Sequence, residues 1–467
     1  MKPTDSGTER SLLLKEITRY RLANGMQVWS HARPGTGTVA LALLVKAGVR
    51  HETRAFNGIT HFLEHMMLTG TERWTESEVM DVIRQQGGVA NAQTTHDDTT
   101  FYVHIDARHT ALALEWLHQV VFRPVISADK VEKERRVIVN EKGGEFGRLR
   151  AFFEWVENHD LGWNVHKAIQ RRIMPDSPLE LPVIGTDESL KRIDHAALVR
   201  HYEQYFVPGN MILLAVGDFE HDTLRAQIEA TVGAIPAGEA PPEARFGRFV
   251  PAAFSVRLRG PAPNEQGQFL IGAPLGSMNH PDRHAWWLLS EVLERALMEE
   301  VRSDRGLTYD LTVYTRLYPE GGYFGIYTQT DVHNFPEVRQ IVDRQMARLR
   351  QGDFNPDEVD HARSALRGRA LLGLQSNADL LWWHYVDAVV IAPDEPVPDY
   401  FGELDRVDEA ALVRVTEQYL RPEQCFTVMH QPAFTPRRAG SWMVGSIAAL
   451  AATAALRRRS NGRAIPR

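Results

Sequence analysis

Apolar and polar positions fall into two alternating periods along the chain. Residues 39–46 form a nearly unbroken apolar run, a strand candidate. Residues 99–105 set Thr99, Phe101, Val103 and Ile105 against polar or aromatic neighbours, the period-two pattern of a strand. Helical periods appear at 58–68, 76–86, 110–121, 129–142 and 194–205. Two short apolar strands are expected at 211–216 and 426–429, each following a helix and a proline-containing turn. Strands and helices mix, and antiparallel meander pairing is expected between strand neighbours. The pattern predicts an α+β class, in which one sheet is covered by helices.

The pattern also repeats. Residues 190–208 read LKRIDHAALVRHYEQYFVP and residues 404–422 read LDRVDEAALVRVTEQYLRP. The offset is 214 with no gap, and 12 of 19 positions are identical, more than shared helix propensity produces. The chain therefore reads as two homologous units from an internal duplication, 17–235 and 250–434, each large enough for its own core. The stretch between them, 235–251, holds four of the 25 prolines and no apolar period, as a linker does. A tail, 435–467, follows.

One helix carries chemistry. Residues 58–68 read GITHFLEHMML. At about 100° per residue, His61, Glu64 and His65 share one arc, and Ile59, Phe62, Leu63, Met66 and Met67 lie opposite. The apolar face can pack on a core while two imidazoles and a carboxylate point together. Two His at i and i+4 can ligate one Zn²⁺, and a carboxylate beside them can take a proton from water. The order H-x-x-E-H is the inverse of the commoner zincin motif. A catalytic zinc keeps three protein ligands and one open position, so a third ligand must come from elsewhere. A carboxylate on the helix expected within 127–145 is the best source. There Glu134 and Glu141 share a face, but Glu132 and Glu145 compete with Glu141, and a solvated helix glutamate is the bland alternative.

Composition narrows this. The 467-residue chain has one cysteine, Cys425, so an internal disulfide and a cysteine-rich zinc site are excluded and any metal rests on His and carboxylates. The net charge of −7, with no sustained basic run in the body, argues against nucleic acid as the main partner. No secretory apolar stretch is found near the N-terminus, so a cytoplasmic body is expected. Residues 439–456 are uncharged and Ala-rich, flanked by Arg437 and Arg438 before and Arg457 to Arg459 after. Their length is marginal for a spanning helix, leaving a C-terminal membrane anchor and a surface-lying helix as alternatives.

Taken together, the motifs resemble the pitrilysin and mitochondrial-processing-peptidase family of inverted-motif zinc peptidases, in its short-chain branch. The resemblance covers residues 17–434. It rests on HFLEHMMLTGT (61–71), GGVANAQTTHDDTTFY (87–102), EKERRVIVNE (132–141) and, in the second unit, VRSDRGLTYD (301–310). It implies a processing-peptidase-like metallohydrolase fold with Zn²⁺ on His61, His65 and Glu141. It further implies Glu64 as the general base and Glu134 as a supporting carboxylate behind the ligands. Asn91 and Ala92 would lie on a strand that pairs with substrate backbone, and Arg302 and Tyr309 would reach the scissile region from the second unit. Each of these has a structural alternative: a turn for Asn91, a helix-face ion pair for Arg302, a strand aromatic for Tyr309. Departures occur at 68–71, where LTGT replaces a common FKGT, and at 95–98; they bear on subsite preference. The second unit carries His280 and His284 without a paired glutamate, so it reads as a copy that does not bind metal.

The resemblance implies a zinc metalloendopeptidase acting on peptides. Relatives of this type enclose substrate between four units, and two here imply a homodimer forming a chamber for unstructured segments. Whether Arg302 and Tyr309 serve their own site or the partner's stays open. A non-catalytic subunit is the other reading. Such subunits lose a ligand or the base, and all four residues remain here.

Overall fold

The computed structural model describes residues 17–143, 165–175, 177–242, 249–260, 266–355, 357–390 and 399–432. The membrane-anchor expectation at 439–456 lies outside them. Among the described residues, no helix is long and apolar enough to cross a membrane.

Six strands build the first sheet: β1 (Thr18–Arg21), β2 (Gln27–Ala32), β3 (Thr38–Val45), β4 (Val89–Thr94), β5 (Thr99–Asp106) and β6 (Met211–Gly217). Their order is β1-β2-β6-β3-β5-β4. This is not a meander. β6 returns from far along the chain to lie between β2 and β3, parallel to β2 and antiparallel to β3. The apolar run of β3 is explained by burial on both faces. Val39, Leu41, Leu43 and Val45 enter one core, and Ala40, Ala42 and Leu44 enter another.

The second sheet contains β7 (Ser255–Gly260), β8 (Gln266–Leu275), β9 (Thr308–Tyr318), β10 (Gly321–Asp331) and β11 (Phe426–Pro432), in the order β7-β11-β8-β10-β9. It matches β2-β6-β3-β5-β4 strand for strand, including the parallel pair, β7 with β11. The repeated sequence segments occupy equivalent places. Helices His195–Tyr205 and Glu409–Tyr419 precede β6 and β11. Each is capped by an aspartate, Asp194 or Asp408, whose carboxylate accepts the backbone N–H of Ala197 or Ala411 at 2.8 Å. The duplication visible in the sequence is therefore a duplication of topology.

The helices are not shared out by unit as the sequence pattern predicts. Each sheet has its own unit's helices on one face and a helix of the other unit on the opposite face. Helix Asn377–Val390, from the second unit, packs on β3 and β6 of the first sheet. Its Leu380 and Leu381 are buried against Ala40, Ala42, Leu44, Ile212, Leu214 and Val216. Reciprocally, helix Val165–Ile173 packs on β8 and β11, burying Val165, Ile169 and Ile173 with Leu258, Leu270, Phe426 and Val428. A polar pair marks the first exchange: His31 Nδ1 and His384 Nε2 lie 3.0 Å apart, both buried.

Candidate metal centre

The site is built on helix Ile59–Met67. Its apolar residues Phe62, Leu63, Met66 and Met67 are fully buried in the first core, which fixes the rotation of the polar face. Its N-terminus is held by a buried carboxylate. Glu52 accepts the backbone N–H of Gly58 (2.7 Å) and of Thr60 (3.0 Å) and the side-chain amide of Asn57 (2.9 Å). These bonds satisfy first-turn amides that lack an intrahelical partner and favour negative charge. Gly58 is left-handed (φ +87°), and a Cβ there would meet Gly185 Cα at 2.6 Å, so the helix entry requires glycine.

Helix Val131–Glu141 brings the remaining carboxylates. Val131 and Ile138 anchor it in the same core. Arg135 places its guanidinium 5.4 Å from the Phe62 ring centre and donates to the carbonyls of Leu190 and Ile193. It thereby ties this helix to the histidine helix.

The three expected ligands converge. One donor atom each from His61, His65 and Glu141 lies within 4.8 Å of the others. Glu141 Oε1 is 3.9 Å from His61 Nε2, and Oε2 is 3.3 Å from His65 Nε2. Bonds of about 2.0–2.1 Å at tetrahedral angles put ligand atoms about 3.4 Å apart, so this set fits Zn²⁺. Burial, and then the neighbouring His65, hold His61 down to about 4, so its imidazole is neutral and ready to ligate. Its buried Nδ1 has no hydrogen-bond partner, and its Nε2 is too far from Glu141 for a hydrogen bond. The second leaves Nε2, the nitrogen that faces Glu141, available to a cation. Glu134 is buried behind the ligands with Oε2 3.6 Å from His65 Nδ1.

Glu64 points into the same cavity. Burial pushes its carboxyl up to about 7; the Thr94 hydroxyl, which donates to Oε2, pulls it down, and the charge of Glu141 raises it. A divalent cation beside it would lower that value. The cavity, about 610 Å³, is lined by both histidines, Glu64, Glu134, Glu141, Asn91, Ala92, Thr94, Val183 and Ile184, among others.

Asn91 and Ala92 lie on β4, which ends the first sheet; among the described residues no strand pairs with its outer edge. Arg302 and Tyr309 are brought together, with the guanidinium 4.9 Å from the ring centre, but they do not line the cavity. Tyr309 is 84% exposed. Arg302 sits on a π-helical stretch, Met298–Asp304, and Tyr309 on β9. In the second unit, His284 is a core residue and His280 stacks on Trp286, and among the described residues neither belongs to a group of metal-competent side chains. Glu52, Arg135 and Thr94 escape sequence reading. The only cue to Thr94 is its place on the strand that carries Asn91.

Two sheet-and-helix units joined by duplication, with an inverted H-x-x-E-H helix in the first, define a metallohydrolase-type protein. The comparisons with known proteins are specific. Residues 27–145 match the family model described as insulinase (peptidase family M16), and residues 192–366 match the peptidase M16 inactive domain. Together these spans cover more than half of the chain, and the chain belongs to peptidase family M16. It is similar to an uncharacterized zinc protease, YmxG, of Bacillus subtilis, 24% identical over 86% of this chain and 97% of that protein. It is also similar to the mitochondrial-processing peptidase subunit beta of Blastocladiella emersonii, 25% identical over 76% of this chain and 75% of that one. The fold matches a protease from Helicobacter pylori (TM-score 0.76, 19% identity, 90% of this chain and 100% of that chain). It also matches an M16-like peptidase from Alicyclobacillus acidocaldarius (TM-score 0.72, 22% identity, 90% and 98%).

Proposed function

We propose that the chain is a zinc metalloendopeptidase that cleaves extended, unstructured peptide segments. The observation that carries this reading is the convergence of His61, His65 and Glu141 with Glu64 on the same helix face. Zn²⁺ held by the three ligands would supply a Lewis acid for the water and the peptide carbonyl. Glu64 takes one proton from the attacking water. The water oxygen adds to the carbonyl carbon, the C–N bond breaks, and Glu64 returns the proton to the leaving amine. Glu134 keeps the His65 ring oriented. The outer edge of β4 offers backbone N–H and C=O groups to an extended substrate, a mode that selects chain conformation over sequence.

We further propose that two copies of the chain, each carrying units 17–235 and 250–434, form a homodimer enclosing a chamber. The exposed Arg302–Tyr309 pair, absent from the cavity of its own chain, supports a role at the partner's site. There the two donors would steady the developing oxyanion. The test is zinc content and cleavage of a quenched unstructured peptide by the wild type and by Glu64→Gln. About one zinc per chain in both, with kcat reduced at least about 100-fold in the variant, supports the reading. A wild type that holds zinc and cleaves nothing across a peptide library overturns it.

A further inference from the structure

The second unit reaches the turn that follows the site's edge strand, a contact that the activity alone does not explain. Thr94, whose hydroxyl donates to Glu64, is the last residue of β4, and the next four residues form the turn into β5. That turn is closed on a buried carboxylate. Asp98 is 2% exposed; its Oδ1 accepts from Thr100 (3.2 Å) and its Oδ2 from Thr95 (3.2 Å). The backbone N–H groups of Asp97 and Asp98 both donate to Thr95 Oγ1 at 3.1 Å. Gly48 presses against the turn so closely that a Cβ would lie 2.6 Å from Asp98 N.

Two groups from the second unit complete this arrangement. Tyr385, on the helix exchanged onto the first sheet, donates its hydroxyl to Asp98 Oδ2 at 2.5 Å. Glu320, in the turn between β9 and β10, pairs at 3.1 Å with Arg50, whose guanidinium also holds Asp97. Resting on the peptidase reading above, we propose that Tyr385 is a positioning residue for Glu64. It acts through Asp98 and the β4–β5 turn on the Thr94 hydroxyl, with Glu320 as a second tie on the same turn. The second unit thus contributes to catalysis within its own chain by fixing the base.

The experiment uses the full chain loaded with zinc. Tyr385→Phe keeps the ring against Trp382 (5.2 Å between ring centres) and removes only the hydroxyl. Tyr202→Phe is the control; it also loses a buried hydroxyl bond, to the Val121 carbonyl, away from the turn. Tyr385→Phe is expected to retain zinc, to lower kcat about tenfold with KM within about twofold, and to speed amide exchange at 95–100. Tyr202→Phe should leave all of these within about twofold. Combined with Thr94→Val, the Tyr385 change should cost little more, because both act on one contact. Glu320→Gln should act in the same direction and is read instead if Tyr385→Phe does not fold. Equal kcat for Tyr385→Phe and Tyr202→Phe, or unchanged exchange at 95–100, overturns the proposal. If the wild type cleaves nothing, the peptidase reading fails, while the exchange comparison still decides whether Tyr385 holds the turn.

Discussion

At the scale of single residues, the site depends on carboxylates kept in different environments. Glu141 is half exposed and free to turn toward both imidazoles, whereas Glu134 is buried and held beside His65 Nδ1. Glu134→Gln should therefore leave the fold intact and weaken zinc about 10- to 100-fold in a chelator competition, because the ring loses its charged orienting partner. Wild-type affinity in that variant would show that Glu134 is only a packing residue. Asp98 carries a pH dependence of its own. Burial is the largest influence and pushes it up to about 6 from an ordinary 3.8, against the Tyr385 hydrogen bond that favours the charge. The folded state binds more protons than the unfolded chain between these values. Stability from this group is therefore full below about pH 4 and lost as pH rises through about 6, on the order of 3 kcal/mol. Buried histidines such as His31 and His201, held down to about 4 and 3, contribute the opposite slope, so the test is a difference: between pH 4 and 7 in urea unfolding the wild type should lose stability relative to Asp98→Asn, and parallel curves would refute the assignment.

At the scale of elements, the helix Ile59–Met67 was legible because its two faces differ so sharply. Five apolar residues on one side and three metal-competent groups on the other leave one orientation against a core. β3 was legible as an apolar run, but not that its two faces enter different cores. Helix exchange between units was not legible, because an apolar face in sequence does not say which sheet covers it. Glu52 was also hidden: it acts through three hydrogen bonds to residues 57–60, and a lone glutamate before a helix carries no periodic signal. Its removal should be severe. Glu52→Ala leaves the amides of Gly58 and Thr60 buried without a partner and should cost about 3 kcal/mol in urea unfolding. Glu52→Gln, which keeps a carbonyl acceptor, should lose less. Equal stability of Glu52→Ala and the wild type would mean that water replaces the carboxylate.

At the scale of the whole molecule, the question is how the two units share one reaction. The reciprocal packing of Asn377–Val390 and Val165–Ile173 interlocks them within a chain, and Tyr385 and Glu320 reach the first unit directly. Arg302 and Tyr309 do not reach the cavity, although sequence resemblance placed them at the reaction. An isologous dimer reconciles these facts if each chain's Arg302–Tyr309 pair faces the other chain's metal site. Mixing tests this without a structure of the dimer. Glu64→Gln has no base but an intact pair; Tyr309→Phe has an intact base and a damaged pair. Each homodimer is then deficient at both sites. A mixed dimer carries one site with both defects and one with neither. Random exchange makes about half of the dimers mixed, with one of two sites intact in each. Activity should therefore return to roughly a quarter of wild type, and only after subunits are allowed to exchange. If the pair acted within its own chain, every site would keep one defect and mixing would restore nothing. A purely monomeric protein in sedimentation, active at nanomolar concentration, would remove the dimer from the account altogether.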